Sequence, residues 1–199
     1  MKVTDAVLAL VSGRIIALLM DDFLMEWGIQ LGFWQHLIAW ILFPFFSLFC
    51  LWIAFLIGRK FLFIYQLAKF LLVGAVATII DLKMYEFLHW SLALLIPVSI
   101  LMVKGISFLI ATVIKFIGNK YWAFLKHEKE DIKKEVMQFF FVTLVGLVID
   151  VISFYYFINI TGPQFGVSTV LWVKLSVIFA GIIAAFWNFA GYKFFVFKK

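Results

Sequence analysis

Charge is scarce in this chain: Asp, Glu, Lys and Arg make up only 14% of its 199 residues, well below the share in a soluble domain. A lone cysteine, Cys50, excludes an internal disulfide and a cysteine-based metal site. The three histidines, His36, His89 and His127, fall at expected helix ends and in a linker, without the spacing of metal ligands. Neither a nucleophile motif nor a phosphate-cradling glycine loop occurs. An enzyme is therefore not expected, and neither is a cofactor or a metal. A cleavable leader is not expected either, because the start lacks a strong basic stretch and no small-residue cleavage site ends a clean apolar core.

Apolar residues, in contrast, are 66% of the chain and aromatic ones 20%. That composition belongs to a multi-pass membrane protein, with room for about five spans of about 20 residues and no separate soluble domain. The net charge of +6 would suggest nucleic acid in a soluble protein. Here the cations flank apolar runs and read as positive-inside topology signals, so no nucleic-acid partner is expected.

A duplication organises the sequence. Residues 69–88, KFLLVGAVATIIDLKMYEFL, return 69 positions later as QFFFVTLVGLVIDVISFYYF, with Asp81 and Asp150 at the same place in each copy. Asp81 would lie about 18 Å into a hydrocarbon layer about 30 Å thick, a costly depth for a carboxyl group and a default mark of function. The second halves match as well: KFIGNKYWAF at residues 115–124 and NFAGYKFFVF at residues 188–197. Transporters built from such repeats place their substrate site where the repeats meet.

The apolar runs predict a first span over residues 37–57, kinked at Pro44 and ended by Gly58, Arg59 and Lys60, then a turn or interfacial helix over 61–68. Spans at 70–88, 92–117, 139–158 and 170–189 follow. Lysines gather in the linker 120–135 and in the tail, while the connections 89–99 and 159–169 contain neither Lys nor Arg. The linker and the C-terminus are thus expected to be cytoplasmic in a multi-pass protein of the cell membrane. Residues 1–35 read as an amphipathic helix lying in the interface. The competing arrangement is a short span with Arg14 buried or paired to one of the acids Asp5, Asp21, Asp22 and Glu26. The expected fold is all-α integral membrane: a helical bundle of two parallel two-span repeats, four transmembrane helices in all, preceded by one further span and an amphipathic N-terminal helix. Its parts are the N-terminal segment 1–35, an additional transmembrane helix and connector at 36–67, and a four-helix domain at 68–198 with repeats 69–125 and 138–198.

Residues 68–198 resemble the GtrA-like membrane proteins. Phe70, Gly74, Thr78 and Asp81 match the opening phrase of that family, and Phe139 and Asp150 match it again. Asn119, Lys120, Trp122 and Phe124 match the closing phrase, as do Asn188, Phe189, Lys193 and Phe197. Lys115 and Tyr192 stand where the family has asparagine, so each repeat keeps one asparagine of the two. The resemblance implies a translocase that moves a polyprenyl-phosphate-linked monosaccharide across the membrane for cell-surface polysaccharide modification.

Such a substrate needs a cation for its phosphate, a polar path for its sugar and an apolar side open to its tail. The candidates for binding it are Asp81, Asp150, Lys104, Lys174, Lys120, Lys193, Asn119 and Asn188. Asp81 shares a face with Gly74, Ala77 and Thr78, and Asp150 shares one with Thr143 and Gly146. Lys104 and Lys174 fall in the outer half of their spans, where they can pair with the aspartates, hold phosphate or snorkel. Lys120 and Lys193 lie among aromatics at the opposite boundary. Lys83 and Glu86 are spaced to pair on one helix. Expected partners are the polyprenyl-phosphate sugar lipid and membrane lipids, with a homodimer or a complex with a membrane glycosyltransferase left open. The alternatives are a membrane scaffold or accessory subunit for such a transferase, and a small multidrug-type exporter using the aspartates for protons and a cation.

Overall fold

Long apolar runs that avoid water can satisfy their backbone groups internally by forming helices. The computed structural model describes residues 1–26, 32–93, 100–126, 131–164 and 166–198, with no side chain described at 19–26, 92–93, 100–101, 170–171 and 174. The helices are α1 (Val3–Glu26), α2 (Phe33–Gly58), α3 (Leu62–Ala93), α4 (Ile100–Ile117), α5 (Ile132–Tyr155) and α6 (Thr169–Gly191). Three wider π-helical turns extend α4, α5 and α6: π1 (Gly118–Ala123), π2 (Tyr156–Thr161) and π3 (Tyr192–Val196). The described residues contain no strand. Among them five stretches are long and apolar enough to cross a membrane: Phe33–Gly58, Leu62–Ser91, Met102–Ala123, Ile132–Thr161 and Leu175–Val196. This is an all-α, multi-pass integral membrane protein.

The chain forms two compact units, Met1–Leu125 and Lys126–Lys199, divided at the charged linker. The linker residues His127, Glu128, Lys129 and Glu130 lie outside the described residues. Each unit contains one repeat as an antiparallel helical hairpin. In the first, α3 meets α4 so closely that a Cβ on Gly118 would stand 2.8 Å from a methyl of Val73. In the second, α5 meets α6 the same way, and a Cβ on Gly191 would stand 2.5 Å from a methyl of Val142. These are equivalent positions of the duplicated sequence, so one glycine-on-valine contact sets the helix approach in both hairpins.

In the first unit α1 and α2 pack onto the repeat. Helix α3 runs 32 residues from Leu62, absorbing the stretch 61–68 that was expected to form a turn or a separate interfacial helix. After Gly58, Arg59 and Lys60 nothing in that stretch breaks a helix, so it simply continues.

Helix α1 is inside out by the standard of a soluble protein. Its buried stripe is small and polar, Asp5, Ala9, Ser12, Gly13 and Ala17, while Val3, Val7, Leu8, Val11 and Leu18 are exposed. Small residues let backbones approach: a Cβ on Gly13 would stand 2.6 Å from the Phe43 carbonyl oxygen and 2.7 Å from Pro44 Cα. Pro44 also lacks the N–H that would bond the carbonyl of Trp40, four residues earlier. Arg14 fills that vacancy. Its Nη1 donates to the Trp40 carbonyl at 2.6 Å, and its guanidinium lies 3.5 Å from the Trp40 ring centroid. Arg14 thus pairs with a carbonyl set free by a proline; the side chains of Asp21, Asp22 and Glu26, with which a pairing was weighed, lie outside the described residues.

Arg14→Gln should loosen α1 from α2 by about 1 kcal/mol, in the range of interhelical hydrogen bonds in membranes. In a Pro44→Ala background the returning N–H takes the carbonyl, and the same change should cost much less. A double-mutant cycle read by unfolding in mixed micelles measures the difference.

Candidate functional site

The aspartate of the first repeat has its counter-charge on the facing helix. Lys104 and Ser107 are one turn apart on α4 and address the two oxygens of one carboxylate. Lys104 Nζ donates to Asp81 Oδ2 at 2.6 Å, and Ser107 Oγ donates to Asp81 Oδ1 at 2.7 Å. Ser107 is fully buried, whereas the Lys104 side chain is 52% exposed. The pair therefore neutralises the carboxylate while leaving the ammonium accessible to another anion. Nearby Lys83 and Glu86 form the expected pair at 3.0 Å. Thr78 turns outward and donates to the Gly74 carbonyl of its own helix at 3.0 Å, so Ala77 and Asp81 carry the inward face.

The second repeat is built differently. Asp150 lies half-buried on α5, and Lys174 lies on α6 with its side chain outside the described residues; the expected pairing of these two falls there. One face of α5 meets Tyr192, which is fully buried: its hydroxyl shares a hydrogen bond of 2.6 Å with Thr143, and its ring stacks on Phe139 with centroids 4.4 Å apart. The Asn188 side chain rests directly on Gly146, leaving no room for a Cβ. Among the described residues its buried Oδ1 has no hydrogen-bond partner.

Both closing phrases fold into π-helical turns, and the same bond ends each. Phe124 N–H donates to the Asn119 carbonyl at 2.9 Å, and Phe197 N–H to the Tyr192 carbonyl at 2.8 Å. Such turns are rare and occur frequently at functional sites. In π1 both Asn119 and Lys120 are fully buried, and neither amide atom of Asn119 has a partner among the described residues. In π3 Lys193 is half-buried, 5.6 Å from the Phe189 ring centroid and 5.4 Å from that of Phe194. Within the first unit, then, Asp81 and Lys104 come together. Asn119 and Lys120 sit at the Val73 level of α3, about 12 Å from Asp81 by helical rise.

A further cluster was missed in the sequence. Asp5 on α1 accepts from Lys69 Nζ at 2.6 Å and from Trp122 Nε1 at 3.0 Å through Oδ1, and from the Lys2 backbone N–H at 3.0 Å through Oδ2. The Lys69 ammonium also lies 4.2 Å from the Tyr65 ring centroid. Both charged side chains are buried, with 5% exposure for Asp5 and 2% for Lys69. Burial pushes the Asp5 carboxyl up, but hydrogen bonds from Lys69 and from the Lys2 N–H outweigh it and hold the group below the ordinary carboxylate range. The one available signal was the mismatch at the head of the repeat, Lys69 in the first copy against Gln138 in the second.

A duplicated antiparallel hairpin, with a lysine-held carboxylate in its first copy and π-helical turns closing both copies, defines a small multi-pass helical membrane protein. Residues 69–197 match the family model for the GtrA/DPMS transmembrane domain, and the chain belongs to that family. No curated protein and no solved structure matches the chain.

Because the Asn119 amide has no partner among the described residues, Asn119→Leu should keep the thermal stability of the protein or raise it by about 1 kcal/mol. Tyr192→Phe, at the equivalent place, removes the bond to Thr143 and should cost about 1 kcal/mol. Unfolding of the two variants side by side tests the contrast.

Proposed function

We propose that this protein is a translocase moving a polyprenyl-phosphate-linked monosaccharide across the cytoplasmic membrane for cell-surface polysaccharide modification. Membership of the GtrA/DPMS family supports a role in handling such lipids. The observation that carries the translocation reading is the cluster of Lys104, Asp81 and Ser107. A bare ammonium among apolar helices would be costly, and a tightly enclosed ion pair would be inert. Lys104 is neither: it is held by Asp81 yet half exposed, so a phosphate can take over from the carboxylate while Ser107 keeps one oxygen of Asp81 satisfied.

In this reading the lysine-bearing end faces the cytoplasm. Lys120 with Asn119, and Lys193 with Asn188, receive the headgroup there. The Asn119 amide, buried without a partner among the described residues, is available to sugar hydroxyls. Lys104 then holds the phosphate deeper in the membrane, and Asp150 and Lys174 take the corresponding parts in the second repeat. The outward apolar side chains of the helices leave the prenyl tail in lipid.

Proteoliposomes containing the purified protein and a labelled polyprenyl-phosphate sugar should expose inner-leaflet label to an outside reagent faster than empty ones. Lys104→Gln should slow that exposure about tenfold, equivalent to about 1.4 kcal/mol in the barrier, with helicity unchanged. Absence of acceleration with several sugars would reject translocation in favour of a scaffold for a glycosyltransferase.

A further inference from the structure

The anion held by Lys69 and Trp122 comes from outside the family domain. That domain begins at residue 69, whereas Asp5 stands on α1. The donors around the carboxylate are an ammonium, an indole N–H and a backbone N–H at 2.6, 3.0 and 3.0 Å. The first two belong to the domain and suit a phosphate oxygen as well as a carboxylate oxygen. Beside them lies an apolar cleft of about 140 Å³ between Leu8 and Val11 of α1 and Val73, Val76 and Ile114 of the repeat, with Trp122 lining both cleft and cluster. An anion position joined to an apolar cleft has the two-part chemistry of a prenyl phosphate.

The second repeat lacks both of these donors. Gln138 stands at the place of Lys69, and Phe195, at the place of Trp122, is 53% exposed. The cation at the head of the repeat and the carboxylate that covers it occur together in the first copy.

We propose that α1 is an internal plug: Asp5 occupies the phosphate position of a prenyl-phosphate site formed by Lys69 and Trp122, and the lipid binds there by displacing it. The proposal rests on the reading of the substrate as a polyprenyl-phosphate sugar and adds regulation by the N-terminal helix. Displacement exchanges one anion for another on Lys69, so the buried ammonium is never left without a partner. It also opens the cleft in which the first isoprene units lie.

The test uses the full chain in nanodiscs and farnesyl phosphate, with titration calorimetry as the readout. Asp5→Asn removes the competing anion and should bind farnesyl phosphate about tenfold more tightly, a gain of about 1.4 kcal/mol; adding Lys69→Gln should abolish the gain. A folded Asp5→Asn protein that binds no more tightly than the unchanged chain overturns the plug. A second measurement does not depend on that variant folding. In a Cys50→Ser background, the buried Ser12→Cys thiol should be labelled faster on adding farnesyl phosphate, but not on adding farnesol or inorganic phosphate. Labelling that stays constant at saturating farnesyl phosphate overturns the proposal, and equal acceleration by inorganic phosphate overturns the assignment of the cleft to a prenyl chain. Transport of the labelled sugar lipid at equal rates by the unchanged chain and by the Asp5→Asn variant would reject the plug and leave the translocase standing. Neither binding nor transport of any lipid phosphate would reject both.

Discussion

A charged group among apolar helices must find its neutralising partner within hydrogen-bond reach, because the surroundings supply no water to do it. In the first unit this requirement links neighbouring helices to one another. Asp5 and Lys69 tie α1 to α3, Asp81 and Lys104 tie α3 to α4, and Arg14 with the Trp40 carbonyl ties α1 to α2. In the second unit Lys126 and the buried Glu135 meet at 3.0 Å where α5 begins. Apolar contacts between membrane helices have little of the water-driven attraction that assembles a soluble core. Polar links and close backbone approach at Gly13, Gly118 and Gly191 therefore set which faces meet.

The two repeats share their steric frame and differ in their polar contents. The frame is the glycine on valine and the π-helical turn that follows it. Inside it, Thr143 and Tyr192 form a closed hydroxyl pair at 2.6 Å. Their equivalents are Gly74 and Asn119, and with no hydroxyl at residue 74 the Asn119 amide is left without a partner among the described residues. Leaving such a group buried costs about 1–3 kcal/mol, a cost that a ligand making those hydrogen bonds would offset. The first copy is also the copy on which α1 packs. Divergence after duplication has closed a hydroxyl pair in the second hairpin and, among the described residues, left the Asn119 amide unpaired at the same place in the first.

Much of this was legible in the chain alone. The duplication placed Asp81 and Asp150, the apolar runs gave the spans, and pairing with Asp81 was one of three roles open to Lys104, the others being to hold phosphate and to snorkel; in the structure the two are paired. These readings succeed because they depend on helical period and on the cost of charge in hydrocarbon, which are local quantities. The grouping of the first 67 residues with the first repeat was not legible. A helix whose inward stripe is small and polar gives no apolar signal for the face that is buried, and its burial depends on a partner distant in sequence.

Sequence by itself determined the class, the repeat and the position of the ionisable groups along their helices, since each follows from composition and from a rise of about 1.5 Å per residue. Tertiary structure decided which donor each acceptor received. Asp5 found Lys69 and Trp122 across separations of 64 and 117 residues, and Arg14 took a carbonyl that only the proline of another helix had freed. Such pairings are settled when helices cross and the nearest unsatisfied groups meet, a geometry that no local pattern encodes.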